Sequence, residues 1–231
     1  VVLAAAGVLF VTSAQTSRGT DLRAEGGDLV GLVREESAAI AAEGARVAEL
    51  RAEVDALART RTTGGAALAE EAAAAELAPV VGTEAVQGPG LVVVLDDAPR
   101  DRPAPPGAGP NDLVVHQQDV QAVLNALWSA GAEAMTVMDQ RIVATSAPRC
   151  VGNVLILQGR TYSPPYRIAA IGDPGAMRAA LDAAPDLAVY RQYVAAYGLG
   201  YEVQQPATVV APAYDGALAL EHARPAQGAP A

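Results

Sequence analysis

Five consecutive apolar residues, Leu91 to Leu95 (LVVVL), stand between Gly88-Pro89-Gly90 and Asp96-Asp97. A run this short, rich in β-branched residues and closed by turn formers at both ends, reads as a β-strand. It lacks the apolar–polar alternation of a half-exposed strand, so both of its faces must be covered. The downstream sequence supplies covering layers. Val120, Val123, Leu124, Leu127 and Trp128 repeat with the period of an amphipathic helix, with Asp119 placed as its N-cap and Gly131 closing it. Ala134–Met138 and Arg141–Thr145 are β-rich and separated by Asp139-Gln140, the pattern of a hairpin, and Asn153–Gln158 and Tyr166–Ile171 give two more strands. Asp173-Pro174 reads as a cap followed by the first helical residue, in a helix that carries Met177, Ala180 and Leu181 inward. A further helical stretch surrounds Tyr190 to Tyr197, and Tyr201 to Val210 holds the last strand. The order β-α-β-β-β-β-α-α-β predicts an α+β sandwich over residues 85–222, broadly ferredoxin-like, with helices on one face of a mainly antiparallel sheet. The tail, 223–231, is Pro/Ala/Gly-rich and is expected to be disordered.

Upstream, the pattern changes twice. Val1 to Val11 (VVLAAAGVLFV) is apolar, and no charge occurs before Arg18. A bilayer span needs about 20 apolar residues, so residues 1–17 are expected to be the C-terminal part of a transmembrane anchor; a signal-peptide core and a buried soluble helix are the rival readings. Residues 18–61 predict a coiled-coil stalk. Leu22, Leu29, Leu50 and Leu57 share one seven-residue series, and Val33, Ile40, Val47 and Val54 share the other. Glu36 and Glu43 interrupt the d series, and Gly26 and Gly44 weaken the helix, so pairing through this seam alone should be weak. One long amphipathic helix lying on its own domain is the competing account. Residues 62–84 form a linker, opening with Thr62-Thr63-Gly64-Gly65 and containing an Ala/Glu-rich helix from Ala66 to Leu77.

Composition narrows the function classes. The net charge of −10 opposes binding to nucleic-acid phosphates or, by charge, to an anionic bilayer surface. Half of the residues are apolar, but with one Phe and one Trp the core must rest on Val, Leu, Ile and Tyr. All sixteen basic residues are Arg, which with the Ala and Pro load points to a high-GC bacterial genome. Cys150 is the sole cysteine, which rules out an internal disulfide and a Cys-rich zinc site.

GPGLVVVLDD (Gly88 to Asp97), VHQQDVQAVLNALWSAGAEAMTV (Val115 to Val137), RCVGNVL (Arg149 to Leu155) and SPPYRIAAIGDP (Ser163 to Pro174), with GTDLR at Gly19 to Arg23, closely resemble the bacterial domain of unknown function 881 (YlxW-like) family. The resemblance spans nearly the whole chain, with several motifs in the family's order. It implies a single N-terminal membrane anchor, a coiled coil and an extracytoplasmic α+β domain, of a kind common in actinobacteria and other Gram-positives, from genes often near cell-division or envelope genes. It carries over an architecture and no catalytic residue.

Candidate sites each have a structural explanation beside the functional one. Asp96, Asp97, His116 and Asp119 lie at the ends of the first strand and first helix and can ligate a divalent cation; the simpler account is that the aspartates end the strand and cap the helix. Asn125 and Glu133 flank the apolar helix face, where they can satisfy backbone groups or contact a partner. Arg141 and Arg149 can pair with Glu133 or with an external anion. Gly172-Asp173-Pro174-Gly175 joins strand to helix, but Asp173 brings negative charge and Pro174 removes a donor, which suits a cap better than a phosphate cradle. No GxSxG, HExxH or Walker motif occurs, and His116 and His222 are the only imidazoles. The expectation is a non-enzymatic, membrane-anchored envelope or division scaffold with no metal or cofactor, self-associating through its stalk. The alternatives are an extracytoplasmic domain that binds a small molecule or cell-wall fragment between the first helix and the loop after Asp97, and a hydrolase using Asp96, Asp97 or Asp119.

Overall fold

The structure, a computed structural model, describes residues 26–61, 65–101, 103–152, 154–216, 218, 222 and 224. The expected anchor, 1–17, and nearly all of the tail, 223–231, lie outside the described residues, and among these no helix is long and apolar enough to cross a membrane. The chain divides into two units, Val1–Arg46 and Val47–Ala231.

Helix α1 runs from Gly26 to Arg61 through a sequence rich in Ala, Glu, Leu and Arg, all strong helix formers. Val47, Leu50, Val54 and Leu57, four residues of the expected seam, are 40%, 48%, 63% and 53% exposed. Helix α2, Gly65–Val81, reaches four residues beyond the expected Leu77 and includes Pro79. Pro79 stands in the last turn, and the helix closes just beyond it: the Ala78 carbonyl accepts the amides of Gly82, Thr83 and Glu84 at 3.1, 2.9 and 3.3 Å.

The globular part is α+β with antiparallel sheets. Its strands are β1 (Val86–Gly88), β2 (Gly90–Asp96), β3 (Ala134–Val137), β4 (Gln140–Ile142), β5 (Arg149–Val151), β6 (Val154–Leu157), β7 (Arg160–Tyr162), β8 (Tyr166–Ile171), β9 (Gly200–Gln204) and β10 (Val209–Ala211). The main sheet has the order β4-β3-β8-β2-β9 with every pair antiparallel. Helix α3 (Gln117–Ser129) connects β2 to β3, while α4 (Pro174–Ala183) and α5 (Pro185–Tyr197) connect β8 to β9. That path through the order β3-β8-β2-β9 is a split β-α-β arrangement. The meander β5-β6-β7 is inserted between β4 and β8.

Strand β2 is central and covered on both sides. Leu91, Val93 and Leu95 face a core made with Val120, Val123, Leu127, Ile168, Met177 and Leu181. Val92 joins a second cluster on the opposite face with Ala134, Ile171, Val209 and Ala211. The β1–β10 ribbon, in register Val86↔Ala211 to Gly88↔Val209, supplies part of that second cover. Glycine is obligatory at position 90, where a Cβ would stand 2.0 Å from the Ala170 carbonyl oxygen of the neighbouring strand.

Three local expectations need correction. Helix α3 starts at Gln117 with His116 as N-cap, so Asp119 is its third residue; its carboxylate reaches back to the His116 amide at 2.8 Å. Trp128 continues the apolar period within α3 but is 43% exposed, outside the buried core. The first hairpin turns at Met138-Asp139, one residue earlier than expected, with Met138 at φ 56°. Asp173 does cap α4, its Oδ1 accepting the Ala176 amide at 2.9 Å. Gly131, at φ 80°, closes α3 as expected, donating to the Trp128 carbonyl at 3.0 Å.

Candidate functional site

Where β2 ends, Asp97 turns the chain. Its Oδ1 accepts the amide of Val115 at 2.9 Å, tying the strand end to the residue before the α3 cap. Asp96 Oδ1 accepts the Asp97 amide at 2.9 Å. The intervening Pro-rich loop returns through a 3₁₀ turn, Pro110–Leu113, whose Asp112 accepts the Gly109 amide at 2.8 Å. The His116 ring lies against this turn with Nε2 2.8 Å from the Asn111 carbonyl oxygen, a contact that puts the proton on Nε2.

This turn, the start of α3 and the exposed face of α5 enclose a cleft of about 550 Å³. Asp112, His116, Asp119, Asp186, Tyr190 and Tyr193 give it its polar character. Burial raises the Asp119 carboxyl above its ordinary range, against the lowering influence of the His116 amide and ring. Tyr190 is buried and its hydroxyl donates to the Gly200 carbonyl at 2.9 Å; burial, then the charges of Asp119, Asp97 and Asp96, hold the phenol neutral far above its ordinary range. Its ring meets Tyr201 edge-on with centroids 6.0 Å apart. Asp112 and Asp119 each use one oxygen on a backbone amide, and no Arg among the described residues lines the cleft. Chemically, the cleft suits a ligand that donates hydrogen bonds or carries positive charge.

The expected residues are thus brought together only in part. His116 and Asp119 line the cleft, whereas Asp97 holds the Val115 amide and lines a separate cleft with Pro99, Arg100 and Tyr197. Asp96 sits opposite Gly200 on the β2–β9 ladder. Among the described residues no group of three His, Cys, Asp or Glu is close enough to hold a metal ion. Asn125 is exposed along α3 and accepts from Gln121 Nε2 at 2.9 Å. Glu133 is exposed, its amide bonded to the Ile171 carbonyl at 2.8 Å. Arg149 is exposed on β5, in the separate three-stranded sheet. The alternative of Arg141 or Arg149 pairing with Glu133 does not hold: among the described residues Arg160 makes the ion pairs, with Asp139 at 2.9 Å and Asp215 at 3.6 Å. Arg141 is 3% exposed and its guanidinium meets backbone carbonyls. Nothing in the spacing of Asp112, Asp186, Tyr190 and Tyr193 relates α5 to the 3₁₀ turn; only the packing of α5 beside α3 does.

Comparison with known proteins places these features in a family. The chain is 34% identical over 186 residues to the UPF0749 protein Rv1825 of Mycobacterium tuberculosis (strain ATCC 25618 / H37Rv), covering 76% of this chain and 58% of that protein. It is 33% identical over 142 residues to the UPF0749 protein Rv1823 of the same strain, covering 56% and 42%. To the UPF0749 protein YlxW of Bacillus subtilis (strain 168) it is 35% identical over 107 residues, covering 46% and 45%. The chain therefore spans about half the length of these relatives. Its fold is similar to a solved structure described as the crystal structure of an uncharacterized conserved protein from Mycobacterium tuberculosis, with TM-score 0.50, 28% identity, and coverage of 66% of this chain and 98% of that one. The family model "Bacterial protein of unknown function (DUF881)" matches residues 73–224, from the last turns of α2 through the whole globular part, and the chain belongs to that family.

Proposed function

We propose that this chain is a non-enzymatic, membrane-anchored protein of the cell envelope, its globular domain extracytoplasmic, acting as a scaffold through protein–protein contacts. The carrying observation is the seam of α1: Val47, Leu50, Val54 and Leu57 follow heptad spacing on a continuous 36-residue helix and are 40–63% exposed in the single chain. Burying such a side chain contributes roughly 1.5–3 kcal/mol, so pairing of two stalks is the direct way to cover them. The interrupted d series keeps pairing modest, and tethering in a membrane would raise the effective concentration. In-cell crosslinking with mass spectrometry on the membrane-anchored protein, with a stalk-deleted control, tests this. Stalk-dependent self-links together with links to envelope or division proteins are expected; absence of both overturns the reading.

A second reading is favoured by the cleft, whose volume of about 550 Å³ lies within the range of small-molecule sites. Here the domain would bind an amine-bearing small molecule or cell-wall fragment. Thermal-shift screening of such fragments, with Asp186→Asn and Tyr193→Phe as controls, tests it. A shift that persists in both variants would place binding elsewhere.

A further inference from the structure

The two ends of the globular domain meet at one guanidinium. Arg141 lies on β4, paired with Thr136, on the face of the sheet that carries the β1–β10 ribbon. Its Nη1 donates to the carbonyls of Glu84 and Pro212 at 3.2 and 3.1 Å, and its Nη2 to the carbonyl of Pro79 at 3.4 Å. Those acceptors come from three places: the last turn of α2, the segment leading into β1, and the segment leaving β10. No carboxylate pairs with Arg141 among the described residues, and its Nε is buried without a partner. The charge is met by three backbone carbonyls, of which Pro79 lies in the last turn of α2, the end that carries the helix's partial negative charge. Arginine suits this position because its rigid planar fork spreads its donors over separate nitrogens, whereas an ammonium gathers its three on one.

Neighbouring contacts converge on the same point. The Tyr214 amide donates to the Gly82 carbonyl at 2.7 Å, adding a direct bond between the two chain ends. Gly82 itself is left-handed, at φ +87°, and a Cβ there would stand 3.0 Å from Val143 Cγ1 and 3.6 Å from Arg141 Cζ. The Arg141 carbonyl is held by Gln158 Nε2 at 2.9 Å, which fixes β4 from the other side. By contrast Ala72 to Leu77 of α2 are all exposed, so the domain grips this helix at its end.

We propose that Arg141 is a latch: it locks the C-terminal end of the connecting helix α2 and the segment after β10 onto the sheet edge, so that the domain carries α2 at a fixed angle. A loose linker would leave the domain free to swing; a latched one makes the domain and α2 move as one body.

The test uses the full chain with Cys150→Ser, spin-labelled at Glu76→Cys on exposed α2 and Ala179→Cys on exposed α4. Double electron–electron resonance should give a narrow distance distribution in this background. Arg141→Gln should broaden it, with Arg141→Lys between the two. Hydrogen exchange at Thr83 and Tyr214 should quicken about tenfold in Arg141→Gln, the scale of losing ordinary hydrogen bonds in a local opening, while β2 and β8 amides keep their rates. Gly82→Ala should act in the same direction. A narrow distribution that Arg141→Gln leaves unchanged overturns the latch. So does a broad distribution in the parent protein, which decides the matter even if the variants fail to fold.

Discussion

Replacing Asp97 with alanine removes the oxygen that accepts the Val115 amide at 2.9 Å. Val115 is 2% exposed, so solvent does not take over that donor. A hydrogen bond to a charged group contributes about 1.5–3 kcal/mol, and an abandoned buried donor costs about 1–3 kcal/mol. Part of this loss is offset, because the second oxygen of Asp97 is buried without a partner and its desolvation is relieved. The net expectation for Asp97→Ala is a loss of about 2 kcal/mol, or roughly 4–8 °C in Tm for a domain of this size. Asp97→Asn keeps an acceptor for Val115 but places an amide where no acceptor exists, so about 1 kcal/mol should be lost. Urea denaturation of the three proteins at neutral pH measures this, with unchanged m-values showing that the unfolded states are comparable. The reasoning fails if Asp97→Ala is as stable as the parent, or if Asn proves no better than Ala. Either result would mean that the strand end is not held by this carboxylate.

Leu127→Ala, at a fully buried position, should cost about 2–5 kcal/mol, whereas Trp128→Ala, 43% exposed one residue later, should cost far less; denaturation midpoints distinguish them. Burial raises the Asp119 carboxyl, so its contribution is fully present below the unfolded carboxylate range and is lost as pH rises through the folded value. Stability measured from neutral pH down to about pH 4 should therefore gain less on acidification in Asp119→Asn than in the parent. Tyr162, whose hydroxyl donates to Asp139 at 2.5 Å, is raised to about 12, by burial first and then by Asp139. Its contribution is present below about pH 10 and is lost as pH rises through about 12, so phenolate absorbance should appear earlier in Asp139→Ala.

Much of this fold is legible in the chain because it depends on local chemistry. The LVVVL run predicts a strand covered on both sides, and β2 is that strand, between the helical layer and the β1–β10 ribbon. The Asp173-Pro174 start and the Gly131 stop are read directly, since caps involve residues within a few positions. The short strands β1, β5 and β7 are not read, and β10 is not separated from β9. Each of the unread strands has three residues and is stabilised by a partner distant in sequence or by a meander, with no periodicity of its own. The same limit governs the site. Asp97, His116 and Asp119 stand out as polar residues at element ends, and two of them line the cleft. Their association with Asp186, Tyr190 and Tyr193 exists only because α5 packs beside α3. Arg141 shows the limit most plainly. The sequence marks it as a charge needing a partner and offers Glu133 or an external anion. Tertiary structure instead brings Pro79, Glu84 and Pro212 to it. Backbone carbonyls carry no side-chain signature, so such a partner cannot be read from residue identities. The sequence alone determined the mixed α+β class, a central strand covered on both faces and the acidic character of the chain. Which polar groups meet was decided by long-range packing, because a hydrogen bond depends on where atoms arrive in space and not on their separation along the chain.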